Sequence, residues 1–193
     1  MHDSDYDIIR KVRAGDSRSY ALIVDSHKDR ALTLAVRLMG NREEAEELVQ
    51  DAFVRAFNNL GTFRGDSKFS TWFYRILYNL CMTRVTRRRG NPERVVVDDE
   101  TRLDDILVDR DQPSIHEQVE DEEIREIIAT EIESLPEKFK AVITLFYVQE
   151  LTYGEMVRVL NTPVGTVKTN LFRARNLLKE RVSRRMKGEM KAV

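Results

Sequence analysis

Between residues 63 and 79 the chain interleaves aromatic, cationic and amide side chains: Phe63 and Arg64, then Lys68, Thr71, Tyr74, Arg75, Tyr78 and Asn79. That mixture suits unpaired nucleic acid, because rings stack on bases, cations meet phosphates, and hydroxyls or amides reach base edges. The competing reading is ordinary core, and for Phe73 in the same run core is the better reading. Energetics limit what such a surface achieves. Separating duplex DNA costs about 1.4 kcal/mol per base-pair step, whereas stacking on an aromatic returns about 1–3 kcal/mol per base. Two or three captured bases cannot hold open a bubble of roughly ten pairs, so a larger partner must supply the rest.

A second set lies in residues 151–181, LTYGEMVRVLNTPVGTVKTNLFRARNLLKER. Thr152 is placed to cap a short helix, with Glu155 at the capping-box position. Met156, Val157 and Leu160 follow at helical spacing, and Asn161-Thr162-Pro163 breaks the run. Val164, Val167, Leu171, Ala174 and Leu178 then form a second apolar stripe, with Lys168, Thr169, Arg173 and Arg175 off it. Two tightly joined helices, the second cationic on its free face, match a helix-turn-helix that enters the DNA major groove. An ordinary helical hairpin with a solvated basic face is the alternative.

A third set is acidic. Glu43, Glu46, Glu47, Gln50 and Asp51 share the polar side of one predicted helix. Glu43 and Glu44 have a simpler role as complements to the helix dipole, but Gln50 and Asp51 lie beyond its first turn and suit partner docking, with an ordinary solvated face as the alternative. No catalytic set emerges. His2, His27 and His116 are scattered without metal spacing or a paired nucleophile, and no glycine loop cradles phosphate. Neither enzyme activity nor a cofactor or metal is expected.

The elements that position these sets are helical. Glycine (8) and proline (4) are too few for a turn-rich β fold in 193 residues. The spacing predicts a helix over 5–14 ended by Gly15, a second capped by Asp16 and closed by Gly40, and a third capped by Asn41. Ala45, Leu48, Val49, Ala52, Phe53, Ala56 and Leu60 form the third helix's stripe, ended by Gly61. A long helix from about Ser70 into Arg87-Arg88-Arg89 buries Trp72, Phe73, Ile76, Leu77 and Leu80. Helicity resumes near Glu117, with Val119, Ile124, Ile127, Ile128 and Ile132. Pro136 opens the next helix, which carries Val142, Ile143, Phe146 and Tyr147. Only Val95-Val96-Val97 reads as β-like, and it is isolated.

The net charge of −1 conceals segregation. Residues 1–95 carry 17 Lys and Arg against 13 Asp and Glu; residues 96–134 carry 3 against 15; residues 135–193 carry 12 against 5. Two cationic ends around an anionic middle suggest two nucleic-acid-facing domains on an extended linker. The expected organisation is all-α, with two small helical domains at 1–92 and 117–193 joined by an acidic flexible linker at 93–116. The second domain contains the helix-turn-helix and is marginal in size, so docking would stabilise it. The single Cys81, the lack of a signal-peptide core and the lack of a membrane-length apolar run fit a cytoplasmic protein.

Four stretches in this order carry a resemblance: Glu47-Leu-Val-Gln-Asp-Ala-Phe53; Phe63-Arg-Gly-Asp-Ser67 with Thr71-Trp72; Ser134-Leu-Pro136; and Pro163-Val-Gly-Thr-Val-Lys168 with Phe172-Arg-Ala-Arg175. Together they resemble bacterial sigma factors of the extracytoplasmic-function (ECF) class, RpoE-like members in particular. The resemblance implies a protein that binds core RNA polymerase through the β′ clamp and the β flap, directs it to promoters and helps open the −10 region. By the same resemblance, Glu47, Gln50 and Asp51 dock on the clamp. Phe63, Arg64, Ser67, Lys68, Thr71, Tyr74, Arg75, Tyr78 and Asn79 then capture single-stranded −10 bases. Thr166, Lys168, Thr169, Asn170, Phe172, Arg173 and Arg175 read the double-stranded −35 element.

An anti-sigma factor is an implied partner, and Asp104, Asp105 and Asp109 of the linker are implied mimics of RNA charge. Thr169-Asn170 departs from the family's usual Ser-Arg, and Gly154 from an acidic residue. Two rival readings remain: a stand-alone helix-turn-helix repressor, which would bind its operator without polymerase, and an adaptor that binds protein through its acidic helix.

Overall fold

A computed structural model describes residues 4–88, 90 and 122–189. The expected linker, Val95-Val96-Val97, Asp104, Asp105, Asp109, Arg89 and Val119 lie outside these residues. Among the described residues there is no strand. Within them, eight α-helices form two bundles: α1 (Ser4–Arg13), α2 (Tyr20–Met39), α3 (Arg42–Asn58) and α4 (Phe69–Arg88), then α5 (Glu122–Glu133), α6 (Glu137–Ile143), α7 (Tyr153–Leu160) and α8 (Val164–Glu189).

Local chemistry sets most boundaries. Asp16 accepts the Ser19 N–H and so caps a three-residue 3-10 turn, with α2 starting one step later than the cap alone predicts. Gly40 ends α2 at φ 68°, a left-handed conformation that costs glycine little. Asn41 accepts the Glu44 N–H at 3.0 Å and starts α3. That helix stops at Asn58, short of Gly61, and a 3-10 turn over Leu60–Thr62 follows. Thr152 and Glu155 complete a reciprocal capping box on α7, and Asn161 ends it at φ 48°.

The first core is aromatic. Phe73 is fully buried and stacks on Phe53 at 4.4 Å between ring centroids. Tyr20 donates its hydroxyl to the Phe53 carbonyl, and burial pushes its pKa up. Cys81 is buried in the same core and its thiol is raised to about 12 by that burial, so it is an inert packing residue. In the second bundle Val142, Leu145, Met156, Val159, Val167, Leu171 and Ala174 meet. After α6 the chain widens into a π-type turn over Thr144–Val148, where Gln149 N–H bonds to the Thr144 carbonyl.

The bundles touch each other. α7 packs on α4, and α6 packs on α2. Arg158 donates to the Asp66 carbonyl at 2.6 Å, and the buried Gln149 donates to the Arg30 carbonyl at 2.9 Å. Glu150, at φ 56°, lies 3.8 Å from the Arg30 guanidinium. Arg37 is also partly buried, and that burial lowers its pKa despite the opposing charge of Glu133. The second bundle thus rests against the first along α2 and α4.

Candidate nucleic-acid and polymerase interfaces

α4 carries the first candidate interface, and its faces differ from the expected ones. Thr71 and Tyr74, expected on the free face, are 1% exposed. Burial raises the Tyr74 hydroxyl to about 12 against the opposing pull of Arg30. Trp72 and Ile76, expected in the core, are only half-buried. The reason is that α4 is covered on more than one side, by α2 and α3 and by α7, so a single apolar stripe does not describe it. Phe63 is buried too, with its ring 5.4 Å from Trp72 and 6.0 Å from Phe69. It anchors the loop from inside and leaves Trp72 as the ring at the surface.

Trp72, Ile76, Asn79 and Thr83 recur every three or four residues along α4 and line one wall of a groove of about 350 Å³. Arg55, Asn59 and Thr62, from the end of α3 and the turn after it, line the other. The side-chain oxygens of Thr62 and Thr83 donate to the Asn59 and Asn79 carbonyls at 2.8 Å, and Asn59 Nδ2 donates to the Arg55 carbonyl at 2.9 Å. An apolar ring, an aliphatic floor, amides and a cation around a cavity of this size fit a single flat polar ring such as a nucleobase. Of the expected base-contacting residues, Asn79 lines this groove, whereas Tyr78 is half-buried on the same helix and is not part of its lining. Arg55, Asn59, Thr62, Trp72, Ile76 and Thr83 were not anticipated there. The 72-76-79-83 spacing was the legible signal.

Arg64 and Lys68 are exposed in the loop before α4, Ser67 is half-buried there, and Arg75 is half-buried on the helix. Lys68 lies 3.0 Å from Glu155. Burial alone would raise the Glu155 carboxyl, but hydrogen bonds from Thr152 and the Lys68 ammonium hold it below its ordinary value. Tyr74 and Lys68 also line a cavity of about 320 Å³ between the bundles, opposite Gln149, Glu150 and Leu151. Part of the expected base-capturing set therefore faces the second bundle.

On α3, Glu43, Glu46, Glu47, Gln50 and Asp51 are exposed as expected. Glu46 pairs with Arg42 at 2.8 Å and Glu47 with Arg84 at 3.2 Å, which leaves Gln50 and Asp51 as the less engaged polar groups. Val54 (59% exposed) and Phe57 (39%) extend this face into an apolar end.

In the helix-turn-helix, Thr166, Thr169, Phe172, Arg173 and Asn176 share the exposed side of α8, and Phe172 is 64% exposed. Asn170 is half-buried. Lys168 rests over the Tyr153 ring at 5.2 Å. The Arg175 guanidinium lies 5.0 Å from the Phe146 ring centroid and 5.3 Å from that of Tyr147. Arg173 thus faces outward, while Arg175 is held on its own domain. Between α5, the π-type turn and the later part of α8 runs an apolar groove of about 370 Å³ lined by Ile128, Ile132, Ile143, Tyr147, Leu178 and Val182. Among the described residues no cluster could hold a metal ion, and no helix is long and apolar enough to cross a membrane.

Comparison with known proteins places these surfaces in context. The profile described as Sigma-70 region 2 matches residues 23–90, and that of Sigma-70, region 4 matches residues 125–178. The ECF RNA polymerase sigma factor SigW of Bacillus subtilis is 37% identical over 178 residues, covering 90% of this chain and 94% of its own length. The RNA polymerase sigma-H factor of Pseudomonas aeruginosa is 33% identical over 91% of this chain and 92% of its own. The ECF RNA polymerase sigma-E factor of Escherichia coli is 31% identical, covering 93% of this chain and 94% of its own. Two solved structures share the fold. CnrH in complex with the cytosolic domain of CnrY has a TM-score of 0.63 at 20% identity, over 92% of this chain and 96% of that one. The sigma factor RpoE in complex with the anti-sigma factor NepR from Bartonella quintana has a TM-score of 0.62 at 22% identity, over 86% and 98%.

Proposed function

The chain belongs to the ECF sigma factors, which bind core RNA polymerase and direct it to promoters, and on that premise we propose how its surfaces divide the work. Residues 1–92 form the domain that docks on polymerase and captures −10 bases, residues 93–116 the linker, and residues 117–193 the domain that reads the −35 element. The groove between Trp72, Asn79 and Asn59 carries this reading: it accepts one extruded base, stacked on Trp72 and bonded by the amides. Arg64, Ser67, Lys68 and Arg75 meet the adjoining single strand. Thr71 and Tyr74 reach DNA only when the second bundle moves off α4.

Glu47, Gln50 and Asp51 dock on the β′ clamp, with Val54 and Phe57 continuing that face. The apolar groove of the second bundle takes a helix of the β flap. The exposed stripe Thr166–Arg173 enters the major groove, with Lys168, Asn170 and Arg175 at its margins. The protein acts in the cytoplasm and catalyses nothing; polymerase makes the bonds. One structural relative is in complex with the cytosolic domain of CnrY and the other with the anti-sigma factor NepR, and an anti-sigma factor controls this chain.

The test is run-off transcription by core polymerase on a genomic fragment library, with and without this protein. Discrete new starts that require both components support the reading. Tight duplex binding by the protein alone, with no new starts, overturns this division of labour among the surfaces.

A further inference from the structure

Helix α1 precedes the segment that the region 2 profile matches, yet it reaches into the base-capture loop. Arg13 sits in its last turn. Its Nε donates to the Leu60 carbonyl at 3.0 Å, and its Nη2 to the Leu60 carbonyl at 2.5 Å, the Gly61 carbonyl at 3.4 Å and the Phe63 carbonyl. These oxygens belong to the 3-10 turn and loop that follow α3, and the Leu60 carbonyl also accepts the Phe63 N–H at 3.2 Å. A planar guanidinium can tie several of them at once, whereas an ammonium acts as one point charge. Further along the loop, Gly65 has φ +81°, and a Cβ built there would fall 3.0 Å from Tyr6 Cε2. The Tyr6 ring therefore closes over the loop's left-handed residue. The segment held at both points is a wall of the groove: Asn59 and Thr62 line it, and Phe63 bears on Trp72 opposite.

We propose that α1 braces the base-capture loop, with Arg13 as a positioning residue that sets the separation between the loop wall and Trp72, and Tyr6 as the latch at Gly65. Arg13 touches no base. It fixes where Asn59 and Thr62 stand, and hence how selectively the groove admits a base. The proposal rests on the reading of that groove as the base site.

The test uses the full-length protein and its holoenzyme with core polymerase. Arg13→Ala, Arg13→Lys and Tyr6→Leu are compared with Arg10→Ala, whose side chain pairs with Asp7 on its own helix. Trp72 is the sole tryptophan, so acrylamide quenching reports on the groove directly. Amide exchange over residues 61–65 reports on the loop. Arg13→Ala is expected to raise that exchange about tenfold without a matching rise in the helix cores. In transcription from a library randomised across both promoter elements, −10 selectivity should fall about tenfold while −35 selectivity holds, as expected when charge-assisted hydrogen bonds are lost. Arg13→Lys should recover part of both effects, and Arg10→Ala should change neither.

Loss of −10 and −35 selectivity together, or unchanged loop exchange in Arg13→Ala, overturns the brace. If Arg13→Ala fails to fold, Arg13→Lys and Tyr6→Leu decide by the same readouts. If the loop loosens and −10 selectivity survives, Asn79→Ala separates the two failures. An effect of Asn79→Ala then overturns the brace alone, and none overturns the groove as base site and the brace with it.

Discussion

The Glu155 carboxylate lies 3.0 Å from the Lys68 ammonium while accepting both the Thr152 N–H and the Thr152 hydroxyl at 2.8 Å. One side chain therefore caps α7 and joins the second bundle to the loop that precedes α4. The cation it neutralises is one of those assigned to the single strand.

In the free protein, a zero-length carbodiimide should couple Lys68 to Glu155, detectable as a cross-linked peptide pair. Saturating core polymerase should abolish the product, because the proposed contact of Lys68 with the single strand requires its release. A cross-link yield indifferent to polymerase would mean that the two bundles travel together onto the promoter.

The same contact predicts a pH dependence. The Glu155 carboxyl is lowered from its ordinary 4.5, so it binds fewer protons folded than unfolded. Its contribution is complete above pH 4.5 and is lost as pH falls through the depressed folded value. Lys68 is 64% exposed, so the ion pair itself contributes only about 0.2–1 kcal/mol. Glu155→Gln should keep most of the cap, since Gln also serves in a capping box, and should flatten the acid limb of a melting-temperature profile below about pH 5.

Asn79→Ala should leave helical content intact and lower run-off yield about tenfold, the worth of roughly one good hydrogen bond in a desolvated groove. A template with the −10 bases already unpaired should restore only the part of the loss that belongs to opening. Yields equal to wild type on closed templates would remove Asn79 from the base site.

Arg173 and Arg175 should separate in a salt titration of −35 duplex binding. Loss of a phosphate contact through Arg173→Ala lowers the slope of log K against log salt by about 0.9. Arg175→Ala should act mainly on stability, costing about 0.5–1 kcal/mol through the lost contact with the Phe146 and Tyr147 rings. Equal slope changes in both variants would show that Arg175 leaves those rings when DNA arrives.

Gly154 occupies the first turn of α7, and a Cβ there would meet nothing within 4 Å. Gly154→Ala should stabilise the protein by about 0.4–1 kcal/mol by restricting the unfolded chain. A lower denaturation midpoint would reveal a packing demand at this position.

What the sequence disclosed was local chemistry. Asp16, Asn41 and Thr152 cap their helices because a side-chain oxygen and a nearby N–H suffice, and both are visible in one dimension. The α3 stripe was legible because that helix buries one face. Trp72 and Tyr74 were assigned to each other's faces because α4 is covered on more than one side, so polarity no longer marks the exposed face. The engagement of Arg175 depends on rings brought close by the π-type turn, which has no signature in residue spacing. The hold of Arg13 on Leu60 spans 47 residues and depends on how α1 meets the 3-10 turn after α3, so no pattern within either segment could announce it.

Helix α4 is 20 residues long, and it serves the aromatic core, the groove and the seam with α7 at once. Few of its positions answer to one requirement only. Substitutions that drift freely along the exposed flank of α2 should be purged here, and saturation mutagenesis should find α4 the least permissive stretch of the chain. A change at Tyr74 that improves strand capture must still satisfy the seam. New promoter preferences should therefore arise more readily at the loop and at the exposed stripe of α8 than within this helix.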